Sequence, residues 1–296
     1  MNFARKISAS VFAHVAYGML RHVGWKRKTV FANLQHVGVA GCTCGGAACE
    51  VADSACEKLY RELLRNLARH VGELLFRFKT FKKLPVDFGA YPCRIDGWKF
   101  DLAPGAAETL EKMRHGGIFL TAHYGNYEAM GPWLCRLGIP LVASYIPVKP
   151  SWLNRILEGR IRAVDGRSYS VNAGSPREFM RLLGEGKLFC LLADQDSRIA
   201  SAQEGLFMGK SVHNNPLPEF LLKHRPETPV FVCWIEENST RILHAEQIQT
   251  QFGMPGSASV MAHFNAWLQF RIAENPALWY GFTHRRFYSK APEIYK

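Results

Sequence analysis

Four apolar runs in this chain carry almost no polar interruption: "IFLTA" at 118–122, "IPLVASY" at 139–145, "KLFCLLA" at 187–193 and "PVFVCWI" at 229–235. A strand with one wet face alternates apolar and polar residues, so a strand that does not alternate is covered on both sides. Stretches with helical spacing stand between the runs, at 104–115, 126–137, 151–164 and 216–225. Another helix opens at "SPRE", where Ser175 caps, Pro176 takes the first helical position and Glu178 completes a capping box. The pattern predicts an α/β fold with a mostly parallel or mixed central sheet covered by helices.

An N-terminal helical segment precedes this alternation. Val11, Val15, Met19 and Val23 recur on one helical stripe over residues 8–23, with basic residues at both ends. The stripe fits two placements, against the protein's own core or along a membrane interface, and Trp25 beside Lys26, Arg27 and Lys28 suits the second. A long amphipathic helix follows, marked by Leu59, Leu63, Leu67, Val71, Leu74 and Phe78 and ended before Pro85. The expected division is therefore 1–84, a membrane-surface docking region, and 85–296, the α/β domain that carries the chemistry. The uncharged run from Ile7 to Leu20 falls short of the roughly 20 apolar residues that span a bilayer, so no transmembrane helix is expected.

With 296 residues, 48% of them hydrophobic, the chain can bury a full core. Its formal charge of +12 favours an acidic partner: nucleic acid, an anionic membrane surface, or an acidic or phosphorylated substrate. No basic-aromatic RNA signature or DNA-reading helix accompanies the charge, which argues against nucleic acid. Eight cysteines, several inside apolar runs, read as thiols of a reducing compartment. The spacings of Cys42, Cys44, Cys49 and Cys56 match no common zinc pattern, so no metal is expected and the role of segment 42–56 stays open.

In a sheet of this kind ligands bind beyond the carboxyl ends of the strands. His123 ends the first run and Asp194 the third, which places both in the expected crevice. Glu128 lies five residues after His123 in "HYGNYE". On one helix that spacing separates two side chains by about 140°. If His123 ends a strand, Gly125 makes a turn and Asn126 caps the next helix, Glu128 can fold back and orient the imidazole. No Gly-x-Ser-x-Gly elbow, Walker loop or Gly-x-Gly-x-x-Gly is present, so this dyad is expected to activate a substrate hydroxyl or amine without a covalent intermediate and without a cofactor. Phe119, Trp133, Trp152 and Phe207 fit equally an apolar pocket or the core.

"HYGNYE" resembles the H-x-x-x-x-D/E signature of the lysophospholipid acyltransferase superfamily, in particular the bacterial lipid A late (secondary) acyltransferases. Further pieces follow in the family's order: "LEGRIR" with Arg160, "LLADQD" with Asp194, the run from Gly205 to Ile235, and "WYGFTHRRF" near the C-terminus. The resemblance covers roughly residues 85–290. It implies transfer of a fatty acyl chain from acyl carrier protein or acyl-CoA to a hydroxyl of a lipid A precursor or another lipid acceptor. The work would be done at the cytoplasmic face of the inner membrane. It also implies that His123 is the general base and Glu128 its orienting carboxylate. Arg160 would hold a phosphate or the donor, Asp194 would position partners in the crevice, and Asn126 would hold the turn or the substrate. Family members commonly begin with a long apolar anchor helix, which the run described above is not; attachment here would be peripheral.

Overall fold

A computed structural model describes residues 2–39, 49–145, 151–172, 175–248 and 258–296. Three helices come first: α1 (Asn2–His22), α2 (Arg27–Val37) and α3 (Cys49–Phe81). A hairpin, β1 (Cys93–Ile95) and β2 (Trp98–Leu102), leads to α4 (Ala106–Met113), β3 (Gly117–Thr121), α5 (Tyr127–Arg136) and β4 (Leu141–Tyr145). Next are α6 (Ser151–Ile156) with a π-helical turn (Leu157–Ile161), the short β5 (Ala163–Val164) and β6 (Arg167–Ser168), then β7 (Ser170–Asn172), α7 (Pro176–Gly184) and β8 (Leu188–Leu192). The chain closes with the hairpin β9 (Gln203–Phe207) and β10 (Lys210–Asn214), α8 (Leu217–His224), β11 (Val230–Glu237), β12 (Thr240–Ile248), α9 (Val260–Glu274) and 3-10 turns at Pro276–Leu278, Tyr280–Thr283 and Pro292–Tyr295.

The main sheet runs β1-β2-β12-β11-β3-β8-β4-β7. Strands β11, β3, β8, β4 and β7 are mutually parallel, while the β11–β12 and β1–β2 pairs are antiparallel. The fold is thus α/β with a mixed, mostly parallel sheet. All five residues of β3 are buried, as its unbroken apolar sequence requires. Ile118, Leu120, Phe189 and Leu191 face a core shared with α2, the first half of α3, α7, α8 and α9. Phe119, Leu188, Cys190 and Phe231 face the opposite core, shared with α4 and α5. The expected helix over 151–164 is shorter than its spacing suggested, because a π-helical turn ends it and Ala163 already pairs with Ser168.

The helical segment 1–84 does not stand apart from the α/β domain. Val30, Leu34, Leu59, Tyr60, Leu63 and Leu64 lie in one core cluster with β3 and β8, and Phe81 and Leu84 lie in the other. The second half of α3 also departs from the expected apolar stripe. Val71 is exposed, and the residues turned inward are His70, Glu73, Arg77 and Thr80. Their counter-charges stand on β11 and β12: Glu237 accepts from Arg69 Nη1 at 2.9 Å and lies 2.6 Å from His70 Nε2, and Arg241 Nη2 donates to Glu73 at 2.9 Å. Paired in this way, charged groups can be buried without the full desolvation cost. Trp98 lies between the Arg77 and Arg241 guanidinium groups, each 3.4 Å from its ring centre.

α1 packs antiparallel on α3, close enough at Gly72 that a Cβ there would come within 2.8 Å of the Ala9 carbonyl, with Phe12 against Phe76. The stripe of Val11, Val15, Met19 and Val23 faces outward, 56–70% exposed. Of its two placements, the one against the protein's own core is overturned. Among the described residues no helix is long and apolar enough to cross a membrane. Cys42 and Cys44 lie outside the described residues.

Candidate active site

Strands β3 and β8 pair in parallel with Gly117 beside Leu188 and Thr121 beside Leu192. Carried two residues further, the same register sets His123 beside Asp194. Helix α5, which follows β3, and helix α8, reached from β8, pack on opposite faces of the sheet. The chain therefore diverges at the carboxyl end of this strand pair, the place where ligands bind in sheets of this kind. The two groups expected there are both present, and they touch.

Asp194 Oδ1 lies 2.9 Å from His123 Nδ1. Its other oxygen, Oδ2, accepts from the His123 backbone N–H at 3.0 Å and from the Trp279 indole N–H at 2.9 Å. Burial by itself would push this carboxyl up. The imidazole charge and three N–H donors outweigh it and hold Asp194 down at about 2. The carboxylate is thus ionised, Nδ1 carries the proton it donates, and Nε2 of the neutral ring holds a lone pair. Nε2 has no hydrogen-bond partner among the described residues, and 14% of the side chain is exposed. Burial lowers the basicity of His123, but the charge and hydrogen bond of Asp194, and the more distant charge of Glu128, reverse the sign and raise it above 6.5.

The expectation that Glu128 orients His123 is corrected by this geometry. Gly125 does make the turn, with φ +57°, and Glu128 does fall in the first turn of α5. Its carboxylate, however, is taken by Arg162, at 2.5 Å to Nη2 and 3.3 Å to Nε. Glu128 acts on His123 only through space. Asn126 occupies the N-cap of α5 without a capping hydrogen bond from its side chain. Its amide is buried and donates to Glu73 at 3.0 Å and to Glu237 at 3.1 Å, so it joins the turn to the ionic cluster on α3 and β11. Asn126 therefore holds the turn, but from beneath. The side chain of Arg160 lies outside the described residues; the neighbouring Arg162, two positions on, is the cation that reaches the site.

The C-terminal box closes the site from the far side. Tyr124 and Trp279 form an antiparallel bridge, Gly125 N–H donates to the Leu278 carbonyl at 2.9 Å, and Tyr280 N–H donates to the His123 carbonyl at 2.7 Å. The "HRR" triplet splits in function. His284 reaches the surface, but its ring stands 5.3 Å from that of His123, and desolvation by the surrounding protein, followed by the His123 charge, lowers its basicity. Arg286 is buried and structural: it donates to the Gln195 and His213 carbonyls at 2.9 and 2.7 Å and to Asn214 at 2.7 Å. Burial pushes it down to about 10. Tyr127 stands edge-on to His123, with ring centres 5.1 Å apart.

Of the aromatic residues considered for a pocket, Phe119, Trp133 and Phe207 are buried in the core, and Trp152 is exposed. Among the described residues the thiols nearest the sheet are held protonated: burial pushes Cys135 up to about 12 and raises Cys190 and Cys233 further. Among the described residues no cluster of His, Cys, Asp and Glu is arranged to hold a metal ion. Trp279, Arg162 and the α3 cluster went unassigned in the sequence. An indole donor in "WYGF" was the one visible signal, and it points at Asp194. Comparison with protein-family models and with curated proteins gives no match.

Proposed function

We propose that the protein is an O-acyltransferase with His123 as its general base. It moves a fatty acyl chain from acyl carrier protein or acyl-CoA to a hydroxyl of a lipid A precursor, at the cytoplasmic face of the inner membrane. The single observation that carries the reading is His123 just past the end of β3, with Nδ1 held by a buried ionised Asp194 and Nε2 without a hydrogen-bond partner among the described residues. That arrangement suits abstraction of a proton from a bound hydroxyl. The choice of lipid acceptor rests on the resemblance of "HYGNYE" and the pieces that follow it. Another lipid acceptor, such as a lysophospholipid or glycolipid, uses the same chemistry.

In this reading the acceptor hydroxyl gives its proton to Nε2 as its oxygen attacks the thioester carbonyl. The C–O bond forms, the C–S bond breaks, and the imidazolium returns the proton to the leaving thiolate. Asp194 stabilises the imidazolium while it exists, which is the differential stabilisation a catalyst needs. The high thiol pKa values are consistent with direct transfer and no acyl-enzyme.

Membrane-surface attachment is part of the proposal. The first 49 residues carry six Lys and Arg and no Asp or Glu. The outward ridge of Val11, Val15, Met19 and Val23 belongs to this segment, and α3 exposes Val71 and Leu75 in the stretch on which α1 packs. An apolar ridge on an acid-free basic segment suits an anionic bilayer. Lys26, just past the end of this ridge, is near enough to His284 to contribute to lowering its basicity.

The test is acyl transfer by the purified protein in detergent, with acyl carrier protein and CoA donors against an under-acylated lipid A precursor and a lysophospholipid. Transfer to the precursor, lost in His123→Ala with an unchanged thermal melt, is expected. Transfer to neither acceptor would remove the reading.

A further inference from the structure

α3 carries a histidine that no step above uses. His70 is 6% exposed and lies between two partners: Nε2 is 2.6 Å from Glu237 Oε2, and Nδ1 is 2.5 Å from the Tyr280 hydroxyl. Glu237 is held well below the usual carboxylate range: burial would raise it, but His70, Arg69 and Arg241 outweigh burial. As an ionised acceptor it accepts a hydrogen bond from Nε2–H, which keeps the ring proton on Nε2. The Nδ1 lone pair is then left to accept from Tyr280, whose own ionisation burial opposes. The proton positions along Glu237, His70 and Tyr280 are thereby set in one direction.

The same Tyr280 grips the active site with its backbone. Its N–H donates to the His123 carbonyl at 2.7 Å. On one side of it Leu278 accepts from Gly125, and between them the Trp279 indole donates to Asp194 Oδ2. The three consecutive residues 278–280 therefore hold the turn after β3, the carboxylate and the backbone of the base. His70 fixes the side chain in that trio that points away from the site.

We propose that His70 is a positioning residue for His123, acting through the Tyr280 hydroxyl and the 278–280 segment. The role rests on the reading of His123 as the base. When the His70–Tyr280 bond is lost, segment 278–280 loses its side-chain tie to α3 and is left with the Asn66–Ala277 bond at its start, the Trp279 donor shifts from Asp194, and the 2.9 Å contact between Asp194 and His123 loosens. The interactions that raise His123 weaken while its burial remains. The groups facing His70 from every side are Tyr280 from the C-terminal turn, Glu237 from β11, and Arg69 from its own helix, with Arg241 and Glu73 beyond them.

Three variants test this. Tyr280→Phe removes one oxygen and keeps the ring. His70→Leu fills much of the volume but bonds to neither partner. His70→Gln keeps a donor for Glu237 and an acceptor for Tyr280. The readout is the imidazole titration of His123, followed by NMR of histidine-labelled protein and assigned with His123→Gln, alongside thermal melts and acyl transfer.

The expected result is a His123 titration midpoint lower by half a unit or more in Tyr280→Phe and His70→Leu. His70→Gln should return it towards wild type, and kcat should fall several-fold in the first two with KM unchanged. An unchanged His123 titration in folded Tyr280→Phe would overturn the proposal, whatever happens to the melting temperature. If wild type transfers no acyl group, the titration still decides the positioning role, so the two readings fail separately. If His70→Leu does not fold, Tyr280→Phe alone carries the decision.

Discussion

Replacing Asp194 by Asn distinguishes the carboxylate that touches His123 from the one nearest it in sequence. The amide can reproduce two of the three bonds, with its oxygen accepting from the His123 and Trp279 N–H groups, whose lengths are 3.0 and 2.9 Å. Its NH2 then faces His123 Nδ1 in place of an acceptor. The ring must give up the Nδ1 proton to accept from the amide, and the proton moves to Nε2, where it blocks the base. The interaction at stake is the charge and hydrogen bond between Asp194 and the imidazolium. It is bounded by the depression of Asp194 from an ordinary 3.8 to about 2, about 2.5 kcal/mol, which already contains the hydrogen bond. A loss of about 2.5 kcal/mol lowers kcat by about 10²-fold. The assay is initial-rate acyl transfer at saturating donor, with the tautomer read from imidazole nitrogen shifts and the fold from a thermal melt. Glu128→Gln is the control: it breaks the ion pair with Arg162 but leaves Nδ1 bonded, so kcat should fall less than about 10-fold. If Glu128→Gln silenced the enzyme while Asp194→Asn kept its rate, the assignment of the orienting carboxylate would be wrong.

The pH dependence has two parts. His123 is raised above 6.5, so its contribution to stability is full below that pH and is lost as pH rises through the folded value; the transfer rate should rise across the same interval as the base loses its proton. Asp194 is depressed, so its contribution is present above 3.8 and lost as pH falls through about 2, which acid melts of wild type and Asp194→Asn would reveal. At the ridge, Met19→Glu withdraws a side chain that is 66% exposed and sets an anion against anionic headgroups. Burying it would contribute about 1–2 kcal/mol, so partition into phosphatidylglycerol vesicles should fall about 10-fold or more in co-sedimentation, and an unchanged partition would exclude this face. Glu73→Ala takes one of two carboxylate partners from Arg241 and one of two acceptors from Asn126, with Glu237 remaining to both, and chemical denaturation should show a loss of about 1.5–3 kcal/mol.

The central strands were legible because nothing in them depended on a partner. "IFLTA" and "KLFCLLA" are apolar at every turn of the pleat, and a strand buried on both faces has no other way to be written. Strands β1, β2, β9 and β10 escaped because they are short, partly exposed hairpin arms whose mixed sequences resemble loops. Helix α9 escaped for the opposite reason. It buries Val260, Met261, Phe264, Leu268 and Ile272 yet also carries Phe270 on its exposed side, so no single stripe marks it. In α3 the apolar spacing from Leu59 to Leu64 held, but from His70 onward polar residues turned inward. Read alone, His70, Glu73 and Arg77 describe a solvated face; only the charges of Glu237 and Arg241, more than 150 residues away, make it an interior one.

The same physical limit explains the site. Position was readable, since a residue ending an apolar run stands at the carboxyl end of its strand, and His123 and Asp194 both do. Partnership was not readable, because it depends on which strands lie side by side. Glu128 is five residues from His123, near enough to suggest a dyad, yet the first turn of α5 points it at Arg162. Asp194 is 71 residues away, and that separation is the register offset of the β3–β8 ladder from Gly117 and Leu188 onward. A sheet that paired β3 with β4 instead would keep every motif in this sequence and leave the imidazole without its carboxylate. The pairing at His123 is therefore a property of strand order before it is a property of the His-x-x-x-x-Glu spacing, and substitutions that weaken β3–β8 pairing should part the imidazole from its carboxylate even where they leave all the polar residues of the site in place.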